Sequence, residues 1–338
     1  MPHRSQPTFT RARFLQTAAA LCAGAFGLGA TPAALAADPA YPSKEIRFVV
    51  PWNAGGSNDI AARAIANILG EQGVKVIVEN LPGATGAIGM TKVATAEPDG
   101  YTIGMGTSST LALIAQRLTP LRNEQFTPIA RVTVDPLLLL VPTGSPHGTL
   151  EAFVANVKKN SGKVSIGTPG SNNLNHIFAV MTGRAGNADV VVAPYTGGSK
   201  VVLDLAGKQI DAAVLKPSES KAQIDGNMVK PIGVFANERL KVMPDVPTFK
   251  EKGYDVFPYG PLVQMAYIVA PANLPPAVRE KMTALFRGAI QSAKFKAVAE
   301  GGGAVVDDLT GAALAKEIDG VEKSLSVVAK QVFTEEKK

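Results

Sequence analysis

Ile46-Arg47-Phe48-Val49-Val50-Pro51-Trp52-Asn53-Ala54-Gly55-Gly56-Ser57-Asn58-Asp59-Ile60 is the stretch whose reading decides the fold class. A β-rich run stops at a proline, a Gly-containing loop follows, and from Ile60 apolar residues recur at 60, 64, 65, 68 and 69, one face of a helix. Gly73 closes that helix. The unit then repeats. Lys75 to Glu79 reads as a strand, Leu81 to Gly86 as a turn into another helix, and Pro98-Asp99-Gly100 as a turn into the strand Tyr101 to Met105. Strands alternating with helices point to α/β units with largely parallel sheets.

A second set follows. Leu137 to Val141 has the apolar run of a buried strand, Leu150 to Lys159 is a helix, and Val164 to Gly167 a strand. The polar loop Thr168-Pro169-Gly170-Ser171-Asn172-Asn173 leads into a helix from about Leu174. Asp189 to Ala193, Asp211 to Leu215, Pro231 to Phe235 and Ala266 to Ala270 read as further strands. Towards the C-terminus, Pro276 fits a first helical turn, and Val278, Met282, Leu285, Phe286 and Ile290 share one apolar face.

The 338 residues suffice for two domains with their own cores or for one large one, and 46% hydrophobic against 18% charged residues argues against a disordered chain. Arg4, Arg11 and Arg13 precede an apolar, Ala-rich run from Phe14 to about Ala30, and Ala34-Leu35-Ala36 supplies a small-x-small cleavage site. Residues 1–36 are therefore expected to be a secretory signal, which places the mature protein in the periplasm. Arg11-Ala12-Arg13 resembles a degraded twin-arginine pattern, so both common export routes fit. Cys22 is the only cysteine and lies in the segment to be removed, which excludes thiol chemistry and disulfides in the mature chain. Three of the 34 basic residues also lie there, leaving 31 basic against 28 acidic residues, a net of +3. These charges are scattered, so no nucleic-acid partner is expected.

Two strand–loop–helix units, about 110 residues apart, place small residues and Ser or Asn where a helix begins. The first holds Gly55, Gly56, Ser57, Asn58 and Asp59, and the second Ser171, Asn172 and Asn173. Unpaired N–H groups and the positive end of the helix dipole suit a carboxylate there, and glycine lets the main chain approach it closely. Ser and Asn are favoured N-caps in any case, so the same residues also fit a purely structural reading. Trp52 and Asn53 beside the first loop are candidate cleft walls, as are Gly83, Ala84 and Ser108, which follow the next two predicted strands. Lys216 and Ser218 follow the strand Asp211 to Leu215, and ligands of open α/β sheets sit beyond the carboxyl ends of strands. A solvated surface lysine is the competing reading for Lys216.

Tyr41-Pro42-Ser43-Lys44, the run Ile46 to Pro51 and Gly55 to Asp59 together resemble the start of Bug-type (TctC-like) extracytoplasmic solute receptors of tripartite tricarboxylate transporters. Val78 to Ala84, Pro98 to Thr102, Phe126 to Ala130, Pro194 to Gly198 and Pro244 to Thr248 extend the resemblance over nearly the whole mature chain. It implies a two-domain type II periplasmic-binding-protein fold with a ligand cleft at the hinge. Domain 1 would span 41–142 and 263–338, and domain 2 would span 143–262. It also implies a small organic carboxylate as ligand, a monomeric receptor, and membrane transporter subunits as partners. A sensor kinase would use the same binding chemistry. Trp52-Asn53-Ala54, the asparagines of the second loop, Thr196 and Lys216 depart from the family's usual residues, so no particular ligand carries over.

Catalysis is not expected, nor is a cofactor or a metal. No H-E-x-x-H, Walker A or G-x-S-x-G motif is present. His147 sits in a Pro/Gly-rich loop, and His176 opens a helix beside the second polar loop, where a structural hydrogen bond is expected. Ser171 and His176 are the one pair to test as nucleophile and base.

Overall fold

The computed structural model describes residues 41–260 and 262–335. The expected signal segment, with Cys22, lies outside the described residues. The first half of the fold is built from β1 (Ile46–Val50), α1 (Ser57–Glu71), β2 (Val76–Asn80), α2 (Ala87–Ala94), β3 (Thr102–Thr107), α3 (Ser108–Ala115) and β4 (Phe126–Val134). The second contains β5 (Leu137–Pro142), α4 (Leu150–Lys159), β6 (Ser165–Thr168), α5 (Leu174–Ala185), β7 (Val191–Pro194), α6 (Gly198–Ala206), β8 (Ala212–Leu215), α7 (Pro217–Asp225) and β9 (Val229–Phe235). The chain then returns through β10 (Met265–Pro271) to α8 (Pro276–Gln291), α9 (Ala293–Gly301) and α10 (Gly311–Glu335).

Two five-stranded sheets result, in the orders β2-β1-β3-β10-β4 and β7-β6-β8-β5-β9. Each begins with three parallel strands joined by βα crossovers. Each ends with two strands that pair antiparallel: β10 with β3 and β4, and β5 with β8 and β9. The sheets are thus mixed rather than largely parallel. The βα rhythm of the sequence reveals a strand's existence but not its direction when it is reached by a crossing between the sheets. β4 escapes a sequence reading because Pro128 interrupts it, and its place at the sheet edge tolerates the missing N–H. The crossing itself falls at Asp135-Pro136. β5 therefore belongs to the second sheet.

Ile46, Phe48, Ile65, Ile103, Met282 and Phe286 fill a core on the first sheet. Leu138, Leu140, Val201 and Leu205 form one on the second. A third apolar cluster is continuous between the halves, from Val49 and Leu111 through Leu137 and Phe178 to Leu314 and Val321 of α10. Stacked Phe178, Phe235 and Phe249, with centroids 4.6 and 4.4 Å apart, anchor it in the second half. No described helix is long and apolar enough to cross a membrane.

Candidate ligand-binding site

The carboxyl ends of β1, β3, β6, β7 and β8 lead into helices whose first turns meet at one cavity of about 450 Å³. That is in the range of small-molecule sites. Gly55 to Asn58 come from the start of α1, Thr107 and Ser109 from α3, and Asn173 and Asn175 from α5. Thr196 to Ser199 come from α6, and Lys216, Ser218 and Glu219 from α7. Two of these helix starts are closed by a cap side chain, and in a third the first-turn acid takes the main-chain N–H of the cap residue. Thr107 accepts from Thr110 N, Asn173 accepts from His176 N, and Glu219 accepts from Lys216 N. α1 and α6 differ: each follows a glycine, Gly56 or Gly197, that offers no side-chain cap. One uncapped, dipole-positive helix start from each half therefore borders the same space, the arrangement that favours an anion.

The family model of the tripartite tricarboxylate transporter family receptor matches residues 60–320. The chain belongs to that receptor family. A UPF0065 protein of Bordetella pertussis is 33% identical over 259 residues, 75% of this chain and 79% of its own length. The structure of a periplasmic transporter matches with a TM-score of 0.78 at 31% identity, over 86% of this chain and 98% of its own. MatC from Rhodopseudomonas palustris, solved with bound malate, has a TM-score of 0.76 at 26% identity, covering 85% of this chain and 100% of its own. The receptor has the two-domain type II periplasmic-binding-protein fold.

Within this receptor, nine of the predicted site residues line the cavity: Trp52, Asn53, Gly55, Gly56, Ser57, Asn58, Asn173, Lys216 and Ser218. The others lie outside the lining. Asp59 is buried and accepts from Gly55 N (2.8 Å), Arg63 Nε (3.0 Å) and Asn80 Nδ2 (2.9 Å). Asn80 Nδ2 also donates to Trp52 O at 3.1 Å, so this carboxylate and amide hold the loop from 52 to 55 in place. Burial raises the Asp59 pKa, but the hydrogen bonds from Arg63, Gly55 and Asn80 outweigh it and leave the group below the ordinary carboxylate range.

Gly83 and Ala84 belong to a turn behind the cavity wall, which brings Gly86 under the Trp52 ring. Gly86 has φ +90°, and a Cβ there would stand 2.7 Å from Thr110 Oγ1 and 3.5 Å from Trp52. Ser108 is buried; its hydroxyl donates to Val263 O (2.6 Å) and accepts from Met265 N (3.1 Å), so its neighbours Thr107 and Ser109 face the cavity instead. Ser171 is exposed outside the lining. Asn172 adopts φ +56°, and its carbonyl accepts from Gln116 Nε2 at 2.7 Å. His176 Nδ1 accepts from Asn172 N at 3.2 Å, a structural bond within the loop, and its ring lies edge-on to Phe333.

Lys216 is 5% exposed. Its Nζ lies 3.3 Å from Asp135 Oδ2 and 3.3 Å from Ser57 Oγ, so it joins the second half to α1 and to the crossing between the sheets. Asp135 Oδ2 also accepts from Thr133 Oγ1 at 2.8 Å. Lys216 and Glu219 are the two ionisable residues of the cavity wall. Burial pushes the Glu219 carboxyl up, against the opposing pull of the Lys216 charge and main-chain N–H.

The lining also contains Thr196 to Ser199, Asn175, Gln264 and Glu219, which sequence reasoning left out of the site. Gly197-Gly198 after a strand repeats the Gly55-Gly56 signal and was open to the same reading. Gln264 gives no such signal, because only the return of β10 beside β3 brings it to the cavity.

Proposed function

We propose that this receptor captures one small organic carboxylate in the periplasm and passes it unchanged to the membrane subunits of a tripartite tricarboxylate-type transporter. The observation that carries the reading is the pair of uncapped helix starts, α1 and α6, which border one cavity from the two halves. A carboxylate is a small anion whose two oxygens can accept from both. The malate bound to MatC supports the same class. In this reading the first sheet with α1–α3 and α8–α10 is one domain, the second sheet with α4–α7 is the other, and Asp135-Pro136 is one hinge segment.

A calorimetric and thermal-shift screen of organic acids on protein purified from the periplasm tests the proposal. One acid should bind with 1:1 stoichiometry, raise the melting temperature and be recovered unchanged. Conversion of the bound acid, or failure of every acid to bind, overturns it. Mass spectrometry of the same protein should find an N-terminus near Ala36 or Ala37; an intact Met1 would remove the export reading.

A further inference from the structure

The wall of the cavity carries little positive charge. Lys216 is its only cation among the described residues, and that ammonium is already held 3.3 Å from the buried Asp135 carboxylate. Glu219, the other ionisable residue of the wall, adds no positive charge in either protonation state. What remains is the pair of uncapped helix starts, α1 and α6, at about half a positive charge each. Together they match one carboxylate. A second carboxylate in the same cavity would lose water and find no countercharge.

Polar side chains do not fill that gap, because several of them are committed within the protein. Ser57 Oγ lies 3.3 Å from Lys216 Nζ, and Asn175 Nδ2 donates to Val214 O at 2.9 Å. Asn173 Oδ1 accepts from His176 N at 2.9 Å, and Thr107 Oγ1 accepts from Thr110 N at 3.3 Å.

Apolar residues complete the wall. Ile60, in the first turns of α1, lines the cavity and is 50% exposed. Trp52 and Ala54, from the loop before α1, line it from the same half, and Pro169, from the loop after β6, lines it from the other. The halves come close here: a Cβ at Gly170 would stand 3.9 Å from Thr85 Oγ1, and one at Gly86 would stand 3.5 Å from the Trp52 ring. A half-exposed isoleucine gains nothing from water, and gains where the carbon atoms of a ligand cover it.

We infer that the ligand is a monocarboxylate with an uncharged, apolar body. Its carboxylate sits at the two helix starts, and its carbon chain or ring lies against Ile60, Trp52 and Ala54 on one side and Pro169 on the other. This rests on the carboxylate reading of the same cavity and narrows it by charge and by polarity. It sets the receptor apart from MatC, whose malate is a dicarboxylate.

Calorimetry of matched acids tests it at about pH 7, where every carboxyl is ionised. Hexanoate and adipate, and benzoate and terephthalate, differ by one carboxylate; butyrate, pentanoate and hexanoate differ by one methylene each. In the wild-type protein the monoacid of a pair should bind at least about tenfold tighter, the scale of leaving one charged group unpaired. Affinity should rise about two- to fourfold with each methylene. Ile60→Asn changes a half-exposed position and should lower that increment toward one, so that hexanoate loses more than butyrate. The wild-type comparisons decide the matter even if the variant fails to fold. A diacid that binds as tightly as its monoacid, affinity that stays flat along the series, or an increment unchanged in Ile60→Asn overturns the inference. Binding of diacids or hydroxy acids alone overturns it too, while leaving the carboxylate reading in place. If no acid of any kind binds, the carboxylate reading itself falls and this inference with it.

Discussion

Replacing Lys216 by Met keeps the aliphatic stem and deletes the charge. The partners left behind set the magnitude. Asp135 has a side chain 5% exposed, and without Lys216 its Oδ2 retains the Thr133 hydroxyl at 2.8 Å. Breaking a buried ion pair from one side costs about 3–5 kcal/mol, because the remaining charge stays desolvated. Asp135→Asn alone should also destabilise, since it strands the Lys216 ammonium. The double variant Lys216→Met/Asp135→Asn strands neither charge and should fall within about 1–2 kcal/mol of wild type. Urea unfolding of the four proteins gives the coupling energy, expected at about 2 kcal/mol or more. Additive single effects, with coupling below about 0.5 kcal/mol, would refute the reasoning and leave the pair a geometric coincidence. Calorimetry on the folded variants then separates binding from stability. If Lys216 also reaches the ligand, Lys216→Met should weaken a carboxylate by about 1.5–3 kcal/mol, with incomplete rescue by Lys216→Arg because a planar fork does not replace a compact ammonium. Unchanged affinity would confine Lys216 to holding Asp135 and Ser57.

Glu219 has a raised pKa and shares the cavity wall, so an anionic ligand should favour its protonated form: binding should take up a proton, and affinity should fall as pH rises through its pKa. Calorimetry in buffers of different ionisation heat measures this, and Glu219→Gln should abolish the uptake; persistence in that variant would exclude Glu219 as its source. Asp59 is shifted the other way, so its contribution to stability is present above the unfolded pKa and is lost as pH falls through the lower folded one. Asp59→Asn should therefore destabilise at neutral pH and flatten the acid side of the melting profile below about pH 4, and an unchanged acid limb would count against the network around Gly55. Gly198→Ala would place a Cβ 2.9 Å from the Glu219 carboxylate carbon and should cost about 1–3 kcal/mol in thermal unfolding; a neutral result would mean that Glu219 swings aside freely. A bound ligand should draw the two halves together and reduce the radius of gyration in solution scattering, and an unchanged curve with a tight ligand would remove the hinge.

The parts of this site that were legible in the sequence are local. Gly55-Gly56-Ser57-Asn58 announces itself because strand, glycines and helix lie within fifteen residues, and the chemistry of a helix start needs nothing from elsewhere. The second loop looked equivalent, and in topology it is, since β6–α5–β7 repeats β1–α1–β2. Yet Asn173 closes its own helix, and the open start is α6, one unit further on. Whether an Asn caps or contacts a ligand depends on a rotamer, which residue type alone does not specify. At Thr107-Ser108-Ser109 the chemistry was legible and the facing was not. A strand turns there into a helix, so the period changes within three residues, and the hydroxyl between two cavity residues points at β10.

Lys216 shows why charge is the hardest property to read along a chain. As a sequence feature it is a lone cation after a strand, apparently free to meet an anion. In the fold its partner is Asp135, 81 positions earlier, at the point where the chain crosses between the sheets. The two charges largely cancel at 3.3 Å, so the cavity draws anions mainly by dipoles: each uncapped helix start contributes about half a positive charge, confined to its first turn. Such a field falls off quickly and depends on direction, where a free ammonium would attract any anion from any side. Discrimination between ligands then rests on the hydrogen-bond geometry of the groups around this cavity.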